Sequence, residues 1–143
     1  INDLVQKNIK LKIIGNKKNF SLKFKKTLKN SENLTKKNTG LQINLALNYG
    51  SKDEIVASVN KIRKMKKRID EKNIVKYLYT ESIPDPDLLI RTGDTNRLSN
   101  FMLWQLAYSE IFFVKKLWPD FSKRDYKKII NKFYKVKRNF GGI

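Results

Sequence analysis

The amino-acid sequence predicts an α/β fold in which a largely parallel β-sheet is flanked by helices. Short apolar runs with strand character alternate with amphipathic stretches of ten or more residues, the pattern of parallel strands joined by crossover helices. The 143 residues are 40% hydrophobic, enough for a single domain over residues 1–143 with a buried core. No apolar run approaches the ~18 residues that a membrane span requires.

After a polar start, KLKIIG (residues 10–15) reads as a short strand ending in a turn, because Leu11, Ile13 and Ile14 are too few for a helix. Phe20, Phe24 and Leu28 then recur every four residues, one stripe of a helix expected to stop near residues 38–40. In LQINLALNYG, Leu41, Ile43, Leu45 and Leu47 alternate with Gln42, Asn44 and Ala46, which predicts a strand with one buried face. SKDE (residues 51–54) fits a capping box with Ser51 at the helix start, and Ile55, Val59, Ile62 and Met65 supply an apolar face as far as about Arg68. Pro84 and Pro86 stiffen a loop into a short strand at residues 88–90. A helix is expected over residues 98–108, with Phe101 and Trp104 as core, followed by a short apolar run at residues 111–114 that could be another buried strand. Ser122 and Asp125 form a second cap, opening a helix on which Tyr126, Ile129, Ile130 and Phe133 share a face.

The chain holds neither cysteine nor histidine, which excludes disulfides, thiolate metal sites and imidazole acid–base chemistry. Its net charge of +19 would attract polyanions. However, 26 of the 32 basic residues are lysine and 15 residues are asparagine, a diffuse bias that solvated faces alone could carry. Residue 1 is isoleucine rather than methionine, so targeting segments are not legible here.

Against that background, DLLIRTGDTNRLSN (residues 87–100) stands out. It places Arg91 and Arg97 among Thr92, Asp94, Thr95, Asn96, Ser99 and Asn100, beyond the carboxyl end of a strand, where open α/β sheets hold ligands. Guanidinium is planar and forked and grips phosphate oxygens through paired hydrogen bonds, whereas ammonium is a point charge. Thr92, Ser99 and a helix N-terminus near Leu98 would add donors. The competing reading pairs Arg91 and Arg97 with Asp85, Asp87, Asp94 or Glu110 in a structural network.

The block PDLLIRTGDTNRLSNFMLWQLAYSEIFFVKKLWPDF (residues 86–121) resembles the carboxyl-terminal signature of the cis-prenyltransferases, most closely bacterial-type undecaprenyl diphosphate synthase. The resemblance extends to IIG, to NTGLQINLALNYGSKDEIV (residues 38–56) and to NFGG (residues 139–142). It implies an undecaprenyl diphosphate synthase-like fold and an enzyme that condenses isopentenyl diphosphate onto an allylic diphosphate, forming cis double bonds with Mg2+. By position, Arg91, Arg97 and Ser99 match residues that hold isopentenyl diphosphate, Glu110 matches a carboxylate associated with Mg2+, and Leu41 falls in the far part of the product tunnel. The family also implies a homodimer and a cytoplasmic location, peripheral to a membrane through the lipid product, with no nucleic acid partner.

Three departures qualify the match. The family's Asp-Gly-Asn-Gly-Arg-Trp type loop, which carries the catalytic aspartate, is absent from these 143 residues. The chain is therefore expected to correspond to the carboxyl-terminal portion, inactive alone. The family has glycine where Asp94 stands and an acidic residue where Thr95 stands, and its closing motif has arginine at Asn139, a role that could pass to Arg138. A noncatalytic partner subunit and a basic nucleic-acid-binding module are the alternatives to the enzyme.

Overall fold

The computed structural model describes residues 1–138, and the chain divides into two compact units, the first residues 1–82 and the second beginning at residue 83. In the first unit, α1 (Asn2–Gln6) precedes β1 (Lys10–Ile14), α2 (Leu22–Thr35), β2 (Gln42–Ala46), α3 (Ser51–Lys64) and α4 (Glu71–Tyr77). β1 and β2 pair in parallel from Lys10 opposite Gln42 to Ile14 opposite Ala46, with α2 as the crossover. Alternate N–H groups of β1 point away from β2 and need acceptors. The side chains of α2 supply them: Thr35 Oγ1 accepts from Leu11 N–H at 3.0 Å and Glu32 Oε1 from Ile13 N–H at 2.7 Å. One outer edge of β1 is thus closed by a helix rather than by a third strand.

Ser21 caps α2 by accepting from Phe24 N–H at 3.2 Å. Below it, Leu28 is buried, as the four-residue stripe predicts, while Phe24 stays largely exposed against Phe20. Gly15, at φ +108°, lets β1 turn where a Cβ would lie 2.1 Å from the Leu47 carbonyl oxygen.

Three expectations for this unit are corrected. Ile43 and Leu45 are exposed, so the predicted apolar face of β2 is not buried; a two-stranded sheet has too few elements to cover it. The N-cap of α3 is Gly50 in an extended conformation, with Ser51 already inside the helix. Of the predicted stripe only Ile62 is fully buried, with Ile55 and Val59 half-buried and Met65 exposed; Ser51, Glu54 and Ser58 complete the buried side of α3, because Tyr49 and the backbone at Tyr79 draw Glu54 inward. α1 and α4 are additions that their short, polar sequences do not signal.

In the second unit, β3 (Leu88–Thr92) pairs in parallel with β4 (Glu110–Val114), from Leu88 opposite Glu110 to Thr92 opposite Val114. A 3-10 turn at Trp118–Asp120 leads into α5 (Lys123–Phe133). The Ser122–Asp125 capping box forms as expected, and Ile129 is buried on the predicted face. Residues 98–108 fold as turns, not as the expected helix. Ser99, Asn100 and Met102 take φ of 49°, 63° and 46°, the left-handed region, which a right-handed helix cannot include. Their bulky neighbours are correspondingly less enclosed: Phe101 and Trp104 are half-buried, and Gln105 and Leu106 form the local core.

Candidate functional site in the second unit

Arg91 is the fourth residue of β3, and the chain leaves that strand through a reversal that starts at Gly93. Gly93 N–H donates to the Lys116 carbonyl at 2.8 Å and Asp94 N–H to the Val114 carbonyl at 3.2 Å, fastening the loop to the segment that leaves β4. Thr95 Oγ1 donates back to the Gly93 carbonyl at 3.1 Å. Gly93 sits at φ +98° with open space around its missing Cβ, so conformation rather than crowding calls for glycine. Asp94, Ser99, Asn100 and Met102 share the left-handed region, and strain of this kind gathers where surrounding structure holds a functional loop in place.

A cavity of about 210 Å³ lies against this loop, lined by Leu89, Ile90, Arg91, Thr92, Leu98 and Phe101. It is smaller than a drug-sized site and suits a compact group. Arg91 Nε is buried there with no hydrogen-bond partner among the described residues. A buried donor left unmet costs about 1–3 kcal/mol, so this guanidinium is poised for an acceptor. Arg97 and Ser99 are exposed on the same loop.

Among the described residues, neither Arg91 nor Arg97 joins the competing ion-pair network. Among the described residues the ion pairs join Lys17 to Glu32, Lys116 to Asp125 and Arg138 to Asp87, and none includes Arg91 or Arg97. The expected contribution from a helix N-terminus near Leu98 is also absent, because that segment is not helical.

Glu110 is the first residue of β4, level with Leu88, three strand positions from Arg91. At ~3.3 Å per residue, the backbone at Glu110 is roughly 10 Å along the sheet from that at Arg91. No group of three or more acidic side chains is close enough to cage a metal among the described residues. A single carboxylate still fits Mg2+, which commonly takes one or two carboxylates and completes its shell with phosphate and water oxygens. Leu41 lies in the first unit, immediately before β2, with its side chain 67% exposed.

Arg138 is committed elsewhere. It donates to Asp87 Oδ1 at 2.5 Å and to the Tyr108 carbonyl at 3.3 Å, tying the end of the described chain to the approaches of β3 and β4. Asn139 and the closing NFGG motif lie outside the described residues.

A larger cavity, an open cleft of about 930 Å³ in the first unit, has Lys18, Lys61, Arg63 and Lys64 on its rim. Its basic side chains stand in solvent, whereas the smaller cavity is lined by Arg91 with its buried, unpartnered Nε, which makes the smaller cavity the candidate.

The sequence and the fold match known proteins. A family model described as "Putative undecaprenyl diphosphate synthase" matches residues 1–141. The chain belongs to this family. Among relatives in the undecaprenyl diphosphate synthase family, the ditrans,polycis-undecaprenyl-diphosphate synthase ((2E,6E)-farnesyl-diphosphate specific) of Wigglesworthia glossinidia brevipalpis is 44% identical over 150 residues, covering 100% of this chain and 58% of its own length. An isoprenyl transferase of Bacillus cereus is 40% identical, covering 99% of this chain and 57% of its own. The crystal structure of a probable undecaprenyl diphosphate synthase from Campylobacter jejuni superposes with TM-score 0.87 at 34% identity, over 99% of this chain and 69% of that one. Lavandulyl diphosphate synthase from Lavandula x intermedia, in complex with dimethylallyl diphosphate, gives TM-score 0.89 at 34% identity, over 98% and 64%. The chain therefore spans somewhat under three fifths of the length of these curated relatives.

Sequence reasoning missed two features of this family member: the buried Glu54, for which the four-residue spacing to Ser58 and on to Ile62 was the available signal, and the Arg138–Asp87 clasp, whose partners are 51 residues apart.

Proposed function

We propose that these 143 residues supply the isopentenyl diphosphate half of a cis-prenyltransferase active site, and that the two units work as one catalytic domain. The buried, unpartnered Nε of Arg91 at the loop cavity is the observation that carries this reading. In the reaction, the allylic carbon–oxygen bond breaks, diphosphate leaves, a carbon–carbon bond forms to isopentenyl diphosphate, and a proton is lost. Arg91 and Arg97 hold the isopentenyl diphosphate through forked hydrogen bonds, and the Ser99 hydroxyl adds a neutral donor. Mg2+ held at Glu110 would add fixed positive charge to the diphosphates. The catalytic aspartate belongs to a loop not contained in these residues, so the 143 residues alone are inactive. Leu41 lines the product tunnel, where its exposed apolar side chain is available to a polyprenyl chain.

The protein acts as a homodimer, a reading supported by the exposed Ile111 and Phe113 on one face of β4. It is cytoplasmic and meets the membrane through its lipid product; no described helix is long and apolar enough to cross one.

The test is Arg91→Lys in the complete enzyme, which keeps the charge and removes the fork. The KM for isopentenyl diphosphate should rise roughly ten- to a hundredfold, the worth of a charged hydrogen bond. Unchanged KM and kcat would remove Arg91 from the site.

A further inference from the structure

We propose that the second unit carries a docking surface for an anionic bilayer, formed by Leu117 and Trp118 together with the outward face of α5. The side chains of Leu117 and Trp118 are 61% and 74% exposed, adjacent in sequence, and followed at once by the helix. Trp118 stacks on Phe121 at 6.2 Å between ring centres, and Lys116 Nζ reaches Asp125 Oδ2 at 2.8 Å, so this apolar pair is held beside the first turn of α5. On the helix itself, Ile129 faces the interior, while Lys123, Arg124, Lys127 and Lys128 are exposed. At 100° per residue these four basic residues fall on the side opposite Ile129. Tyr134, 78% exposed, stands just beyond the helix.

Over residues 115–138, ten Lys and Arg stand against two Asp, a net charge of +8. A cationic helix face beside an exposed Trp and Leu is the chemistry of an interfacial contact: the aromatic ring settles at headgroup depth, the aliphatic side chain reaches toward the acyl boundary, and lysines meet lipid phosphates. A second copy of this surface would bring +8 against +8, which disfavours self-association here. Nucleic acid would satisfy the charge but would leave Leu117 without apolar burial.

The surface extends the reading of a lipid-producing enzyme, yet its test uses no isoprenoid substrate, so either can fail alone. The complete protein is co-sedimented with vesicles of phosphatidylglycerol and phosphatidylcholine, and with phosphatidylcholine alone, at about 0.1 M salt. Binding is expected only with the anionic lipid and should weaken as salt rises to 0.5 M, a measurement that needs no variant. Each basic residue near such a surface contributes about fivefold, so Arg124→Glu/Lys127→Glu/Lys128→Glu should lose at least a hundredfold. Trp118→Ala should weaken binding and abolish the tryptophan quenching produced by brominated lipid. Equal binding to both vesicle types, no binding, or undiminished binding by the triple variant overturns the proposal. So does duplex DNA binding without vesicle binding, or a dimer that Trp118→Ala dissociates without any effect on vesicles.

Discussion

At the scale of single residues, the clearest constraint is Glu54, a carboxylate 1% exposed on the inner side of α3. Its Oε2 accepts from the Tyr49 hydroxyl at 2.5 Å and its Oε1 from Tyr79 N–H at 2.6 Å. One side chain thus ties the end of the β2 loop and the segment after α4 to α3. Burial, followed by the nearby Glu54 and Asp53 carboxylates, pushes the Tyr79 phenol above its usual pKa. Glu54→Leu keeps a side chain of similar size but removes both acceptor oxygens, so the Tyr79 N–H and the Tyr49 hydroxyl each lose this hydrogen bond. A loss of about 1–3 kcal/mol in unfolding free energy is expected by denaturant titration; unchanged stability would mean that the two contacts are dispensable. Asp94 is the opposite case, a polar residue whose backbone matters more than its charge. Its φ of 51° is a conformation that glycine adopts freely, and aspartate is among the few other residues that tolerate the left-handed region. Asp94→Gly should leave stability within about 1 kcal/mol, whereas Asp94→Val should cost about 1–3 kcal/mol. Equal melting temperatures for the two variants would contradict this account.

Among the elements, α5 shows how far local sequence reaches. Ser122 Oγ accepts from Asp125 N–H at 3.3 Å and Asp125 Oδ2 accepts from Ser122 N–H at 2.9 Å, the reciprocal pair that the spacing announces. Ser122→Ala should cost about 1 kcal/mol, read from thermal melts. The hydrogen bond from Lys116, then those from the Ser122 side chain and backbone, hold the Asp125 carboxyl well below the usual carboxylate range. Because the folded pKa is depressed, the stabilisation is fully present above the ordinary value of about 4 and fades as pH falls through the folded one. The stability gap between the native chain and Asp125→Asn should therefore be constant from pH 7 to 5 and narrow below about 4. A gap that widened on acidification would refute the assignment. The Ser122–Asp125 cap was legible because it depends on a neighbour three residues away, but the same spacing at Ser51–Glu54 misplaced the cap of α3, which is Gly50. The turns at residues 98–108 were not legible: Phe101, Trp104 and Tyr108 have helical spacing, and only the left-handed Ser99, Asn100 and Met102, pinned by the Phe101 N–H to Leu98 carbonyl bond and the Leu106 N–H to Met102 carbonyl bond, overrule it. The exposed faces of β2 and β4 were illegible for another reason, since alternation tells which residues share a face and not whether another element covers it. For the loop, the pairing of Arg91 with Arg97 was visible in the sequence; that Asp87 is taken by Arg138 rather than by either of them was not.

For the whole molecule, the decisive quantity is how unevenly the core is shared. Ile13, Ile14, Leu28, Ile62 and Leu78 are buried in the first unit, and the described residues of the second bury only Leu106 and Ile129 among large apolar side chains. Stability grows with the apolar surface a unit removes from water, and local opening begins where that burial is thin. The second unit holds the candidate site, with its buried Arg91 Nε unmet and four left-handed residues gathered between Asp94 and Met102, whereas Asn8, Asn48, Lys66 and Ser82 are scattered through the first unit. Hydrogen exchange followed by mass spectrometry should show β3 and β4 exchanging before β1 and β2. Inorganic diphosphate at millimolar concentration should then slow exchange in β3 more than in β1, because an anion that binds only the folded loop draws stability from its own affinity. Protection that rises equally in both units would indicate a nonspecific charge effect of the +19 chain, and earlier exchange in β1 would reverse the ranking of the two cores.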